Sequence, residues 1–239
     1  VITYLPYFKN TFGIDTSTMI NNQRQMLDGY LSQGRFGIVW LFELFINHYD
    51  NSIVPWLVVP SLAILGSYLY FILKKYGKNV SNFTALIISI FFVNNPIVYS
   101  QLYFKMQAIH IVIGLLFVLL GTHLSLTQTK NFVKISIATI LFAYSMLIYQ
   151  VFAFFIFSML LFSLLVFQEK REVILKSMLT SLLLSTFLYV IIYVIASNNY
   201  EYSQYGSETY MMWNKYNMLE LSQKLGIIII GLFALVYLM

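Results

Sequence analysis

No cysteine occurs in the 239 residues, so disulfides and thiolate-held metals have no ligands here. Charge is nearly as scarce: 10% of residues are Asp, Glu, Lys or Arg, against roughly a quarter in ordinary globular domains. A water-soluble fold would have too few polar side chains to cover its surface. The three histidines, His48, His110 and His123, share no ligand spacing, which leaves metal binding through His and Cys without a basis in the sequence. Val1 to Phe8 lacks the basic flank and small-residue cleavage site of a signal peptide. No internal repeat or low-complexity stretch appears.

What the chain does have is apolar surface. Hydrophobic residues make up 59%, with 21 Phe and 19 Tyr, and the solvent such a chain needs is a lipid bilayer. The net charge of +5 does not point to nucleic acid, because the lysines gather in short gaps between apolar runs, the arrangement that sets membrane orientation. Val1 to Phe8 reads as the outer end of a helix whose beginning is missing, and Met239 falls inside an apolar run. One membrane-embedded domain over residues 1–239, cut at both ends, is therefore expected.

A polar stretch, Asn10 to Asp50, follows the stub. Ile53 to Leu73 then supplies about 20 apolar residues, enough for a helix across a hydrocarbon core of roughly 30 Å, with Pro55 and Pro60 as candidate kinks. Phe83 to Val93 is short and stops at Asn94-Asn95-Pro96, as a tilted or re-entrant crossing would. Ala108 to Leu126 spans. Ile135 to Ile148 leads through Tyr149-Gln150 into Val151 to Phe167 as a tight helical hairpin, Leu179 to Ala196 crosses again, and Leu225 opens a last helix after a Tyr-rich loop. About seven crossings result, an all-α polytopic transmembrane bundle. Eight Lys and Arg fall in the gaps around Lys75, Lys130 and Arg171 beside two acids, while the other gaps hold six bases and seven acids. The positive-inside rule makes the basic gaps cytoplasmic, and this puts Asp15, Arg35, Tyr149-Gln150 and the Tyr-rich loop together on the extracytoplasmic face.

The groups that carry chemistry have bland and functional readings side by side. Asp15 precedes a helix-like stretch, Met19 to Leu31, and suits either an N-cap or a general base at the membrane surface; the two roles are compatible. Asp28 lies four residues after Arg24, a spacing for a structural ion pair. Gly34-Arg35-Phe36-Gly37 puts an always-charged fork between two glycines, fit for bidentate recognition of phosphate or for snorkelling at a helix start. Phe36 to His48 reads as a short interfacial helix with Trp40, Glu43 and Asn47 on one face. Tyr149 and Gln150 can hydrogen-bond a sugar or satisfy helix ends. Tyr200 to Tyr216 with Trp213 forms a stacking surface or an interfacial aromatic belt. His110 and His123 are expected to pack or hydrogen-bond within the bundle.

Taken in order, Ile14-Asp15-Thr16, Ser32-Gln33-Gly34-Arg35-Phe36-Gly37, the Asn95-Pro96 helix stop and Leu147-Ile148-Tyr149-Gln150 resemble the bacterial glucosyl transferase II family of membrane glucosyltransferases. The resemblance implies a GT-C-like glycosyltransferase of the bacterial inner or plasma membrane. It implies a polyprenyl-phosphate sugar as donor, a cell-surface or lipid-linked glycan as acceptor, and reaction on the extracytoplasmic side. Many members carry two adjacent acids in the first outer loop, where this chain has Asp15 followed by Thr16. The residues carried over are Asp15 as catalytic base, Arg35 for the donor phosphate, and Tyr149 and Gln150 for sugar, with no cofactor and no metal expected. The rival readings are a transporter or flippase of lipid-linked oligosaccharide and a non-catalytic membrane assembly subunit.

Overall fold

The computed structural model describes residues 4, 8, 22–46, 52–95, 98, 102, 104–127 and 132–199. Contacts divide the chain into two units, Val1–Tyr200 and Glu201–Met239, and all described residues belong to the first. Among them every element is helical. The chain runs through α1 (Gln23–Ser32), α2 (Phe36–Leu41, prolonged as a π-helical turn over Phe42–Ile46), α3 (Val54–Tyr76) and α4 (Asn82–Val93). It continues through α5 (Lys105–Thr127), α6 (Phe132–Ile148), α7 (Phe152–Val166) and α8 (Thr180–Asn199).

Hydropathy gives these helices no dry and wet face, so size and shape decide which side packs. In α3 the residues Val58, Leu62, Leu65, Leu69 and Ile72 recur at three- and four-residue steps and are buried. The opposite side carries Trp56, Ile64 and Phe71, which remain exposed. The pattern repeats with Phe83 and Phe91 on α4, Phe154 on α7 and Phe187 on α8, aromatic side chains turned outward in numbers that water would not tolerate. Val54–Tyr76, Gln107–Thr127 and Gln168–Ala196 are each long and apolar enough to cross a membrane, which marks a membrane protein.

In lipid, burial of carbon drives helix association weakly, and close contact with small polar residues takes over. Ser89, Ser125, Ser145, Ser163, Ser177, Ser181 and Ser185 are all buried. The Ser145 hydroxyl lies 2.8 Å from the Leu141 carbonyl of its own helix and 3.1 Å from the Gly114 carbonyl of α5. Ser177 donates to the Ser125 carbonyl at 2.6 Å. Helix α5 packs most extensively against α6, which in turn packs on α8, while α3 lies against α4 and α5. Leu62, Leu69, Val118, Leu119, Phe142 and Ile156 belong to the resulting core.

Several expectations meet the structure directly. The hairpin forms as α6, a turn through Tyr149–Val151, and α7. Helix α4 starts at the Ser81 cap, whose Oγ accepts from the Thr84 N–H at 3.0 Å, and ends before Asn94. Pro55 sits in the first turn of α3, where an N–H has no partner to lose. Pro60 lies inside the helix, yet the segment stays helical through it. The basic gap at Lys170–Lys176 departs from expectation: a 3-10 turn, a short α turn and a π-helical segment, Ile174–Leu179, lead directly into α8. The short helix expected from Phe36 forms as α2 and its π-helical continuation to Ile46, with Trp40 half-buried, Glu43 exposed and Phe42 buried. Ion pairs among the described residues join Lys78 to Glu169 and Lys176 to Glu172. Arg24 and Asp28 form no such pair. Asp15, Lys130, Pro96, Asn47, the Tyr-rich loop and the helix from Leu225 lie outside the described residues.

Candidate functional site

The placement of Arg35 follows from how α1 stops. Asn22 caps its start by accepting from the Gln25 N–H. At the other end Gly34 adopts φ +72°, a conformation that costs any residue with a Cβ. The Gly34 N–H then donates to the Leu31 carbonyl and the Arg35 N–H to the Tyr30 carbonyl, each at 2.9 Å. These are the two bonds of a Schellman stop. Arg35 leaves that stop and at once becomes the N-terminal flank of α2, with the Ile38 N–H donating to its carbonyl at 3.1 Å. A residue tied at both backbone ends has little freedom to aim elsewhere.

The two glycines have separate tasks. A Cβ on Gly34 would strike the Tyr193 ring and come within 3.1 Å of the Gln150 side-chain nitrogen. A Cβ on Gly37 would lie 2.8 Å from the Ile148 nitrogen and 2.9 Å from the Leu147 carbonyl carbon, so α2 touches the end of α6 through backbone. Phe36, fully buried beside Leu147 and Ala196, locks the same junction.

The side chain of Arg35 lies across the α6–α7 turn. Its guanidinium carbon is 4.4 Å from the centre of the Tyr149 ring and 5.9 Å from that of Tyr30. Nη1 donates to Gln107 Oε1 at 3.1 Å. A guanidinium over a ring face gains a cation–π contact while its N–H groups remain donors. Gln150 donates from Nε2 to the Gln33 carbonyl at 2.7 Å, closing the Arg35 loop onto the hairpin. Tyr189 and Tyr193 pack together, and Tyr193 meets Phe36 edge-on.

Three of the four residues singled out from sequence, Arg35, Tyr149 and Gln150, are thus brought together, and Asp15 lies outside the described residues. Arg35 is half-buried, with the Tyr149 and Tyr30 rings beside its guanidinium. Sequence reasoning missed Gln107, Lys105, Tyr189 and Tyr193. Lys105 opens α5 at 2% exposure, and desolvation holds its ammonium below the ordinary lysine pKa. The available signals were a Lys-x-Gln pair just before a long apolar run and a Tyr-x-x-x-Tyr step, one helical turn apart, in a Leu/Ile/Val segment. A separate apolar groove of about 720 Å³ runs between α3 and α4, walled by Leu62, Gly66, Leu86 and Val93, and includes none of Arg35, Tyr149 or Gln150.

No curated protein and no solved structure shows a match to the chain. A family model described as Glucosyl transferase GtrII matches residues 6–238, a span that includes the Arg35 loop, the α6–α7 turn and nearly everything between the termini. With that match over almost its whole length, the chain belongs to the GtrII glucosyl transferase family.

Proposed function

We propose that this protein is a polytopic, GT-C-like membrane enzyme that moves glucose from a polyprenyl-phosphate donor to a cell-surface or lipid-linked glycan on the extracytoplasmic side of the bacterial inner membrane. Family membership supports glucosyl transfer. The observation that carries the site is the convergence of Arg35, Gln107 and the adjacent pair Tyr149 and Gln150 from three separate segments.

In the reaction, the acceptor hydroxyl oxygen bonds to the anomeric carbon of the sugar. The bond from that carbon to the donor phosphate oxygen breaks, with its electron pair remaining on the phosphate. The hydroxyl proton passes to Asp15, the base that the family resemblance supplies. The departing phosphate gains a negative charge as the bond breaks, so a guanidinium held in place beforehand binds the transition state more tightly than the ground state. Tyr149 supports that guanidinium, and Gln150 holds its loop while its carbonyl oxygen is suited to a sugar hydroxyl. A phosphate is a good leaving group, and the step as written calls for no metal or cofactor.

The test is Arg35→Lys in the purified full-length enzyme with a lipid-phosphate glucose donor. An ammonium keeps the charge and loses the planar fork, so kcat/KM should fall about tenfold to a hundredfold, the worth of one charge-assisted hydrogen bond. Equal turnover by Arg35→Lys removes Arg35 from the site. Activity with a soluble nucleotide sugar and none with the lipid donor overturns the donor assignment.

A further inference from the structure

Gln107, which holds Arg35, stands near the start of α5, and His123 stands sixteen residues further along the same helix, a rise of about 24 Å. At that distant end a second polar cluster forms. Lys75 Nζ lies 3.3 Å from His123 Nε2, and the Tyr68 hydroxyl lies against His123 Nδ1. Lys170 donates to the Leu126 carbonyl at 3.1 Å and sits 4.5 Å from the centre of the Tyr76 ring. Lys75 lies 5.3 Å from the same ring centre.

Hydrogen-bond directions make this cluster rich in donors. An ammonium can only donate, so His123 Nε2 is the acceptor and Nδ1 carries the imidazole proton towards Tyr68. The Tyr68 hydroxyl proton then points elsewhere, and the Tyr76 hydroxyl is buried with no acceptor. The acids at this end are committed: Glu169 holds Lys78 at 2.6 Å and Glu172 pairs with Lys176. The chain from Gln128 to Asn131 adds none. Helix C-termini offset part of the charge, as the Lys170 bond to Leu126 shows. Two lysines from separate segments, Lys75 and Lys170, nonetheless converge with no carboxylate within ion-pair distance among the described residues. Lysines that merely orient a membrane protein have no reason to meet around one imidazole.

We infer that Lys75 and Lys170, gathered around His123 and Tyr76, bind a phosphate-bearing anion at the end of the bundle opposite Arg35, supplied by an anionic lipid headgroup. A phosphate brings several acceptor oxygens and a negative charge, the two things the cluster lacks, and exposed Lys75 gives it access. Flanking apolar residues such as Phe71 offer the acyl chains a lipid-facing surface.

The test measures retention of phosphatidylglycerol by the purified full-length protein, by native mass spectrometry after detergent exchange, with phosphatidylcholine as the neutral comparison. Lys75→Gln with Lys170→Gln should weaken phosphatidylglycerol binding about thirtyfold, the effect of two lysines near an anionic headgroup. Lys75→Arg with Lys170→Arg should retain it, which separates charge from folding. Lys176→Gln, a basic residue at the same end already paired with Glu172, should change nothing. Competition by inorganic phosphate alone at millimolar concentration would place the affinity in the phosphate group and leave the lipid as its carrier; failure to compete would show that the acyl chains contribute. Equal loss with Lys176→Gln, or full retention by the double Gln variant, overturns the proposal.

Discussion

Arg35 is positioned by its neighbours on both sides of the chain and by two rings, so each part of its setting has its own signature on substitution. The cation–π partner is Tyr149, at 4.4 Å. Tyr149→Phe keeps the ring face and should retain most of the transferase activity, whereas Tyr149→Ala leaves the guanidinium unsupported. A partly buried cation–π contact is worth about 1–2 kcal/mol, so the Ala variant should lose about fivefold to thirtyfold in kcat/KM. If Phe and Ala at this position were equally impaired, the phenol and not the ring would be the working group. Arg35 and Tyr149 were both legible in the sequence because a guanidinium between glycines and a Tyr-Gln pair at a hairpin stand out in a chain so poor in charge. Gln107 was not, because it lies 72 residues from Arg35 and only folding shows that α5 starts where the loop ends.

At the level of elements, the junction of α2 with the end of α6 decides whether the site assembles. Gly37 meets the Leu147–Ile148 backbone with no room for a methyl group, and a backbone contact cannot yield as a flexible side chain does. Gly37→Ala should cost about 1–3 kcal/mol of stability, as overpacking does, and it should lower activity by moving the Arg35 loop away from Tyr149. Thermal unfolding in detergent checks the first effect. A Gly37→Ala variant as stable as wild type would mean that α2 does not seat on α6. Of about seven expected crossings, three helices among the described residues are long and apolar enough to span, and these lie where long apolar runs bounded by Lys, Gly or Asn leave few alternatives. Sequence reading failed at the π-helical turns, Phe42–Ile46 and Ile174–Leu179, because a single extra residue per turn leaves composition unchanged while rotating every later side chain. The helix expected from Met19 starts at Gln23, where Asn22 caps it.

For the whole molecule, two chemically different ends lie about one helix length apart, the proposed donor site at Arg35 and a basic end at His123. The proposed sidedness rests on the charge imbalance between alternate gaps. With no native cysteine to interfere, single-Cys variants at the exposed positions Glu43 and Lys78 should label from opposite sides of the membrane with an impermeant thiol reagent. The Glu43 position should react from outside. Labelling of both from one side would refute the arrangement. The central claim, glucosyl transfer with Asp15 as base and Arg35 on the donor phosphate, is tested most directly by one assay. Purified full-length protein is given radiolabelled glucosyl polyprenyl phosphate and acceptor glycan, and wild type is compared with Asp15→Asn. Asn matches Asp as a helix cap but accepts no proton at neutral pH. Wild type should transfer label, and the variant, folded and present in equal amount, should turn over at least about a hundredfold more slowly, within the range of general-base catalysis. Near-normal transfer by Asp15→Asn, or no transfer from the lipid donor by wild type, would contradict the account.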